Sequence, residues 1–297
     1  MFDPETLLGA GLTAFASKDI LFKILGPTAD YLGEEVKDLI DKCNINIGDI
    51  FLKAYRKLGG NAEKPGAVNP RVFKNIFADG KYCEDDLVKE YFAGVLASSK
   101  TKDGIDDRGV TNSKLITNLS SYQIKTHYIL YTLLRKAFVP YNSVIYPGTN
   151  RDMMIIYIPT EIYFEAMGLT GEFLSHDEKI NILAHSMNGL RRNDLIEDDF
   201  IYGDPIFFQQ EKIKYKFGAD FPMQENIFSD HGITFQPTPG GMELYLWAHG
   251  MGNITHFHFL DETLQFEGTI ELTLPDTVDL LYKDLVEHLK KSCNTEF

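Results

Sequence analysis

At 297 residues the chain can bury one large core or two modest ones, and its formal net charge of −14, from 43 acidic against 29 basic side chains, disfavours a sequence-independent grip on nucleic acid, which needs clustered cations. A hydrophobic content of 44% excludes disorder over most of the length. Cys43, Cys83 and Cys293 are odd in number, widely spaced and without a CxxC pair, so neither a disulfide framework nor a zinc ribbon is indicated, and a cytoplasmic protein is expected.

The chain opens with Asp3-Pro4, an N-cap followed by proline at the first helical position, and with Asp3 and Glu5 where a secretory signal would carry cations. The apolar stretch from Leu7 to Leu25 contains Lys18, Asp19 and Lys23, which suits a soluble helix covering a core better than a membrane span. Tyr31, Leu32, Val36, Leu39 and Ile40 form the next helical stripe, and Ile47, Ile50, Phe51, Ala54, Tyr55 and Leu58 another, stopped by Gly59-Gly60. Asn69-Pro70 repeats the cap-and-proline signal ahead of Phe73 and Phe77.

Leu87, Val88, Tyr91, Phe92, Val95 and Leu96 predict an amphipathic helix starting near Cys83, with Glu84, Asp85 and Asp86 at the dipole end that favours anions. Ser98 to Thr111 reads as a long polar loop, near the upper limit for an ordinary connection. A short helix around Leu115, Ile116 and Leu119 follows. Ser120 and Gln123 then form a capping box for a helix carrying Ile124, Tyr128, Tyr131, Leu134 and Phe138 on one stripe.

From Val144 the character shifts. Met153 to Ile158 is a β-rich run, and Ser175 with Glu178 is a second capping box, opening a helix with Ile180, Leu183, Met187 and Leu190 inward. Strands are predicted at 200–202, 206–209, 212–217, 233–236, 243–247, 255–259 and 269–274, with Gly240-Gly241 as a turn. Pro275-Asp276 starts a terminal helix. The expected fold is α+β: a helical domain over 1–140, a mixed region over 141–275 with antiparallel strands, and a C-terminal helix over 276–297. Within the mixed region the element order predicts a winged-helix-like unit, with 176–192 as the recognition-like helix and wing strands near 195–202 and 233–247.

Four segments carry a family resemblance: EYFAGVLASS (90–99), LITNLSSYQIKTHYILY (115–131), HSMNGLRRNDLI (185–196) and TPGGMELYLWAHG (238–250). Together they resemble the Abi-alpha family of bacterial abortive-infection proteins, over roughly 28–140 and parts of 176–250, with His249 and Gly250 where a small or cysteine ending is typical. The resemblance implies a role in defence against phage and brings no catalytic motif with it. With no GxSxG, P-loop, GxGxxG or HExxH in the chain, the preferred mechanism is binding of a phage or host protein, with possible homo-oligomerisation and no cofactor. The alternatives are an enzyme, a metal-dependent hydrolase or nuclease whose site is assembled from distant residues, and a winged-helix DNA-binding regulator.

Candidate site residues fall in four places. Asp103, Asp106, Asp107 and Arg108 place carboxylates beside a guanidinium, which suits cation binding or ordering of the loop itself, and the loop lacks the spacing of an EF-hand. Asp107 and Arg108, with His127 among Tyr122, Lys125 and Tyr128, are the catalytic candidates; a half-buried helix histidine is the plainer reading of His127. Arg191 and Arg192 face phosphates if the helix reads DNA, or complete a solvated C-terminal turn; the surrounding carboxylates favour a protein partner. His256 and His258 alternate as a metal pair on a strand would, with His249, Asp261 and Glu262 nearby, and two surface histidines explain them equally simply.

Overall fold

The computed structural model describes residues 14–33, 45–141, 151, 154–171, 173–204, 231–264 and 266. The predicted N-cap at Asp3, the stripe positions Val36, Leu39 and Ile40, the strands at 206–209, 212–217 and 269–274 and the terminal helix lie outside these residues. The described chain is α+β, with helices throughout and two small antiparallel sheets. It divides into two compact units: the described residues of 1–121 and 246–253 with Phe266, and those of 122–245 and 254–264. The helix over 121–138, expected in the first domain, therefore belongs to the second unit apart from its first residue.

The first unit contains α1 (Ala14–Leu25), α2 (Thr28–Leu32), α3 (Ile45–Leu58), β1 (Ala67–Val68), α4 (Pro70–Gly80), α5 (Asp86–Ser98), β2 (Lys100–Thr101) and α6 (Gly109–Asn118). Its core takes Ile47, Ile50, Phe51 and Ala54 from α3, Val72, Phe73 and Ile76 from α4, and most of α5. The caps follow the sequence logic. Asn69 accepts from the Arg71 backbone N–H with Pro70 at the first helical position, and Asp85 accepts from the N–H groups of Leu87 and Val88, each at 3.0 Å. Asp85→Ala leaves those two donors to water and is expected to lower stability by about 1 kcal/mol in urea unfolding.

Two expectations in this unit need correction. Tyr91 to Ala97 is buried on every face, so the C-terminal half of α5 is a central helix rather than an amphipathic one. Its outward charges are engaged as well: Glu90 meets Lys57 at 2.8 Å and Lys53 at 2.9 Å across from α3. The loop after α5 is shorter than predicted, because Lys100 and Thr101 pair with Val68 and Ala67 as β2 and α6 already begins at Gly109.

The second unit holds α7 (Ser121–Phe138), β3 (Ile156–Pro159), α8 (Thr160–Met167), α9 (His176–Arg192), β4 (Ile201–Gly203), β5 (Gly232–Phe235) and most of α10 (Pro239–Ala248). β5 is the middle strand, antiparallel to β3 with Ile156 opposite Phe235, and to β4 with Ile201 opposite Thr234. α7 is its central helix, with Ile124, Tyr128, Tyr131, Leu134 and Phe138 all buried. The Ser175–Glu178 capping box is present in both directions.

Two predicted strands are helical instead. Residues 243–247 lie within α10, and Gly240-Gly241 is its first turn: Thr238 Oγ1 accepts from the Gly241 N–H at 3.0 Å while Pro239 occupies the first helical position. The aromatic and branched residues that read as β sit in a helix buried on every face but that of Glu243, where burial decides and propensity does not. Residues 256–258 form a 3-10 turn rather than part of a strand.

Candidate functional site

The loop between β2 and α6 is held at both ends by regular structure, and its side chains are used largely on one another. Asp103 Oδ1 accepts from the Ile105 N–H at 3.2 Å, and Thr101 Oγ1 accepts from the N–H of Gly104, whose φ of +67° is a left-handed conformation that glycine adopts without strain. Arg108 grips Asp106 through Nε and Nη2, the shortest contact 2.6 Å, and these hydrogen bonds hold the Asp106 carboxyl below the usual carboxylate range. Asp107 pairs with Arg71 of α4 at 2.8 Å, and Asn69 donates to the Ile105 carbonyl at 3.1 Å. Asp103, Asp106, Asp107 and Arg108 thus lie in one ordered loop. Asp106 and Asp107 turn to different arginines, so the pair is arranged to order the loop and not as an acid and base facing one substrate.

This loop walls two clefts in the first unit. One, of about 640 Å³, lies between the loop and the α1–α2 turn and includes Phe22, Lys23, Pro27, Glu63 and Asp103. Two of its charges are matched to each other, Lys23 meeting Glu63 and also Asp19, each at 3.0 Å, while Lys64 and Lys102 line its wall toward the second cleft. The other, of about 320 Å³, is lined by Lys64, Lys100, Lys102 and Arg108 against one carboxylate, Asp106. Sequence reading singled out the loop, Lys100 included, but not Lys64 as its partner, because that proximity depends on the β1–β2 pairing.

His127 is fully buried in the second unit. Its Nε2 donates to the Gly241 carbonyl at 3.0 Å, its ring lies 4.5 Å from that of Tyr131, and burial pushes its pKa down to about 3. This buried imidazole fixes α7 to the first turn of α10. His127 is thus more deeply buried than the half-buried helix histidine the sequence implied. Tyr131 works beside it, donating to the Leu195 carbonyl at 2.6 Å and accepting from the Thr238 N–H at 3.2 Å.

Arg191 and Arg192 are exposed at the end of α9. Arg191 reaches Asp198 at 3.7 Å, and Arg192 Nε donates to the Asn188 carbonyl at 3.2 Å. Both are therefore engaged at the C-terminal turn, where cations offset the helix dipole. His256 and His258 lie two apart in a 3-10 turn of three residues, which points them to different sides and removes the strand geometry expected of a metal pair. Among the described residues no group of three His, Cys, Asp or Glu side chains converges to hold a metal ion.

No helix among the described residues is long and apolar enough to cross a membrane. Comparison of the chain with protein-family models, with curated proteins and with solved structures gives no match.

Proposed function

We propose that the chain is a protein-binding component of bacterial abortive-infection defence, acting through a winged-helix-like element in its second unit and not through catalysis. The observation that supports this is topological. Among the described residues helix α7, strand β3, helices α8 and α9, then strands β4 and β5 come in this chain order, and the sheet order is β3-β5-β4, the last strand lying between the other two. This succession matches the order expected of a winged helix and supports the reading that α9 takes the recognition position.

What α9 presents favours protein over DNA. His176, Asp177, Glu178, Asn181 and His185 are exposed along it, the acidic pair sits at its N-terminus, and the two arginines at its other end already have carboxylate or carbonyl partners. Phosphate backbones need unpaired cations at such a face. A mixed polar face suits a protein surface. The role in defence rests on the resemblance of the four segments to the Abi-alpha family.

The test is expression in a bacterial host challenged with a panel of phages. Lower plaque counts than an empty-vector strain, lost in an Asn181→Arg/His185→Glu variant that remains folded, are the expected result. Unchanged plaque counts across the panel sink the defence role, and salt-sensitive binding of the purified protein to duplex DNA that is lost in an Arg191→Glu/Arg192→Glu variant replaces the protein partner with DNA.

A further inference from the structure

We propose that the cleft between the 59–66 segment and the β2–α6 loop is a binding site for a phosphoryl group. In a chain of net charge −14, this cleft is walled by Lys64, Lys100, Lys102 and Arg108 with a single carboxylate, Asp106. Local charge of the opposite sign to the whole molecule concentrates anions at one place on an otherwise repelling surface.

The cations have different tasks. Lys100 is the fixed one. Its ammonium donates to three main-chain carbonyls, those of Asn61 at 3.2 Å, Ala62 at 2.7 Å and Lys64 at 2.9 Å, so its three protons are used and its charge is not neutralised by any hydrogen-bonded carboxylate. The nearby acid, Glu63, is committed elsewhere, to Lys23 at 3.0 Å and to the Tyr55 hydroxyl at 2.8 Å. Burial without a counter-ion holds the Lys100 pKa below that of a free lysine, which an anion in the cleft would relieve. Lys100 therefore contributes positive field from the wall and not a hydrogen bond.

Lys64 and Lys102 supply the donors. Both are exposed at the rim, and neither has a carboxylate against its ammonium among the described residues. Arg108 completes the wall with its guanidinium oriented by Asp106. Fixed charge in the wall, exposed ammoniums at the rim and an oriented guanidinium beside them match a compact, multiply charged oxyanion better than a carboxylate, which carries one charge. At about 320 Å³ the cleft admits a phosphoryl group with a small organic body.

The test is isothermal titration calorimetry of the full chain at low salt with three probes: sodium pyrophosphate, sodium phosphate and ribose 5-phosphate. Saturable one-to-one binding is expected for at least one of them. A stronger signal for pyrophosphate assigns the free anion, and a stronger one for ribose 5-phosphate assigns a phosphate ester. Lys64→Glu/Lys102→Glu reverses two exposed rim charges without touching the core, so its melting curve without ligand should match the wild type while its affinity falls at least about tenfold. Failure of all three probes to give saturable binding up to about 10 mM overturns the proposal, as does equal affinity in the charge-reversed variant. Either result leaves the phage assay untouched, because that depends on the second unit.

Discussion

Gly94→Ala is expected to destabilise the first unit by roughly 3 kcal/mol or more, although alanine is the better helix former by about 1 kcal/mol. Gly94 lies in the buried half of α5, and a Cβ placed there would sit 1.9 Å from the Ala248 carbonyl oxygen and 2.6 Å from its Cα. Both obstacles are backbone, in the helical residue that closes α10, so no side chain can swing aside. The Ala248 backbone must move away or α5 must deform, and the close packing of Tyr91 to Ala97 is disturbed with it. Gly60 is the control: nothing lies within 4 Å of the position a Cβ would take there. Gly60→Ala should be nearly neutral. Urea unfolding followed by the fluorescence of the single tryptophan, Trp247, which belongs to this unit, reads both variants. An increase in midpoint for Gly94→Ala would mean that helix propensity outweighs packing.

Gly94 also shows where the sequence stopped being informative. The stripe Leu87, Tyr91, Val95 is visible from spacing alone, and it is buried as expected. The small side of the same helix, Ala93, Gly94 and Ala97, reads as a neutral face until the approach of Ala248, some 150 residues away, is known. Caps were legible because they are local: Asn69-Pro70, Asp85 and Ser175 with Glu178 each bond within three residues. Thr238-Pro239 carries the same signal, and it was masked by Gly240-Gly241 and by the aromatic residues after it. The candidate loop was found for its length and charge. Its neighbour Lys64 was not, since Lys64 and Lys100 meet only through a two-residue strand pairing that has no periodicity to detect.

His127 should make the second unit sensitive to acid, with a sign that follows from its burial. In the unfolded chain the imidazole titrates near 6.5, and in the fold burial lowers this to about 3, so between those values the unfolded state binds the proton that the folded state refuses. Stability therefore rises with pH across that window. Descending from neutral pH, the unfolding free energy falls by about 1.4 kcal/mol per unit, and protonation pulls the chain open. Acidic residues add their own slope, so the informative quantity is the difference between wild type and His127→Gln. The glutamine amide keeps a donor for the Gly241 carbonyl and does not titrate in this range. At pH 7.5 the variant is expected to be less stable by about 1 to 2 kcal/mol, from lost ring contact with Tyr131 and imperfect filling of the site. By pH 4.5 the wild type has lost roughly 2 to 3 kcal/mol to the proton alone, so the two stability curves cross between these values. Hydrogen exchange of the α7 amides at both pH values measures the difference within this unit. Parallel curves would mean that His127 is protonated as readily in the fold as out of it, and that a path for solvent to its ring exists after all. A crossing fixes His127 as a group that stays neutral in the fold across this range and whose contribution is to stability.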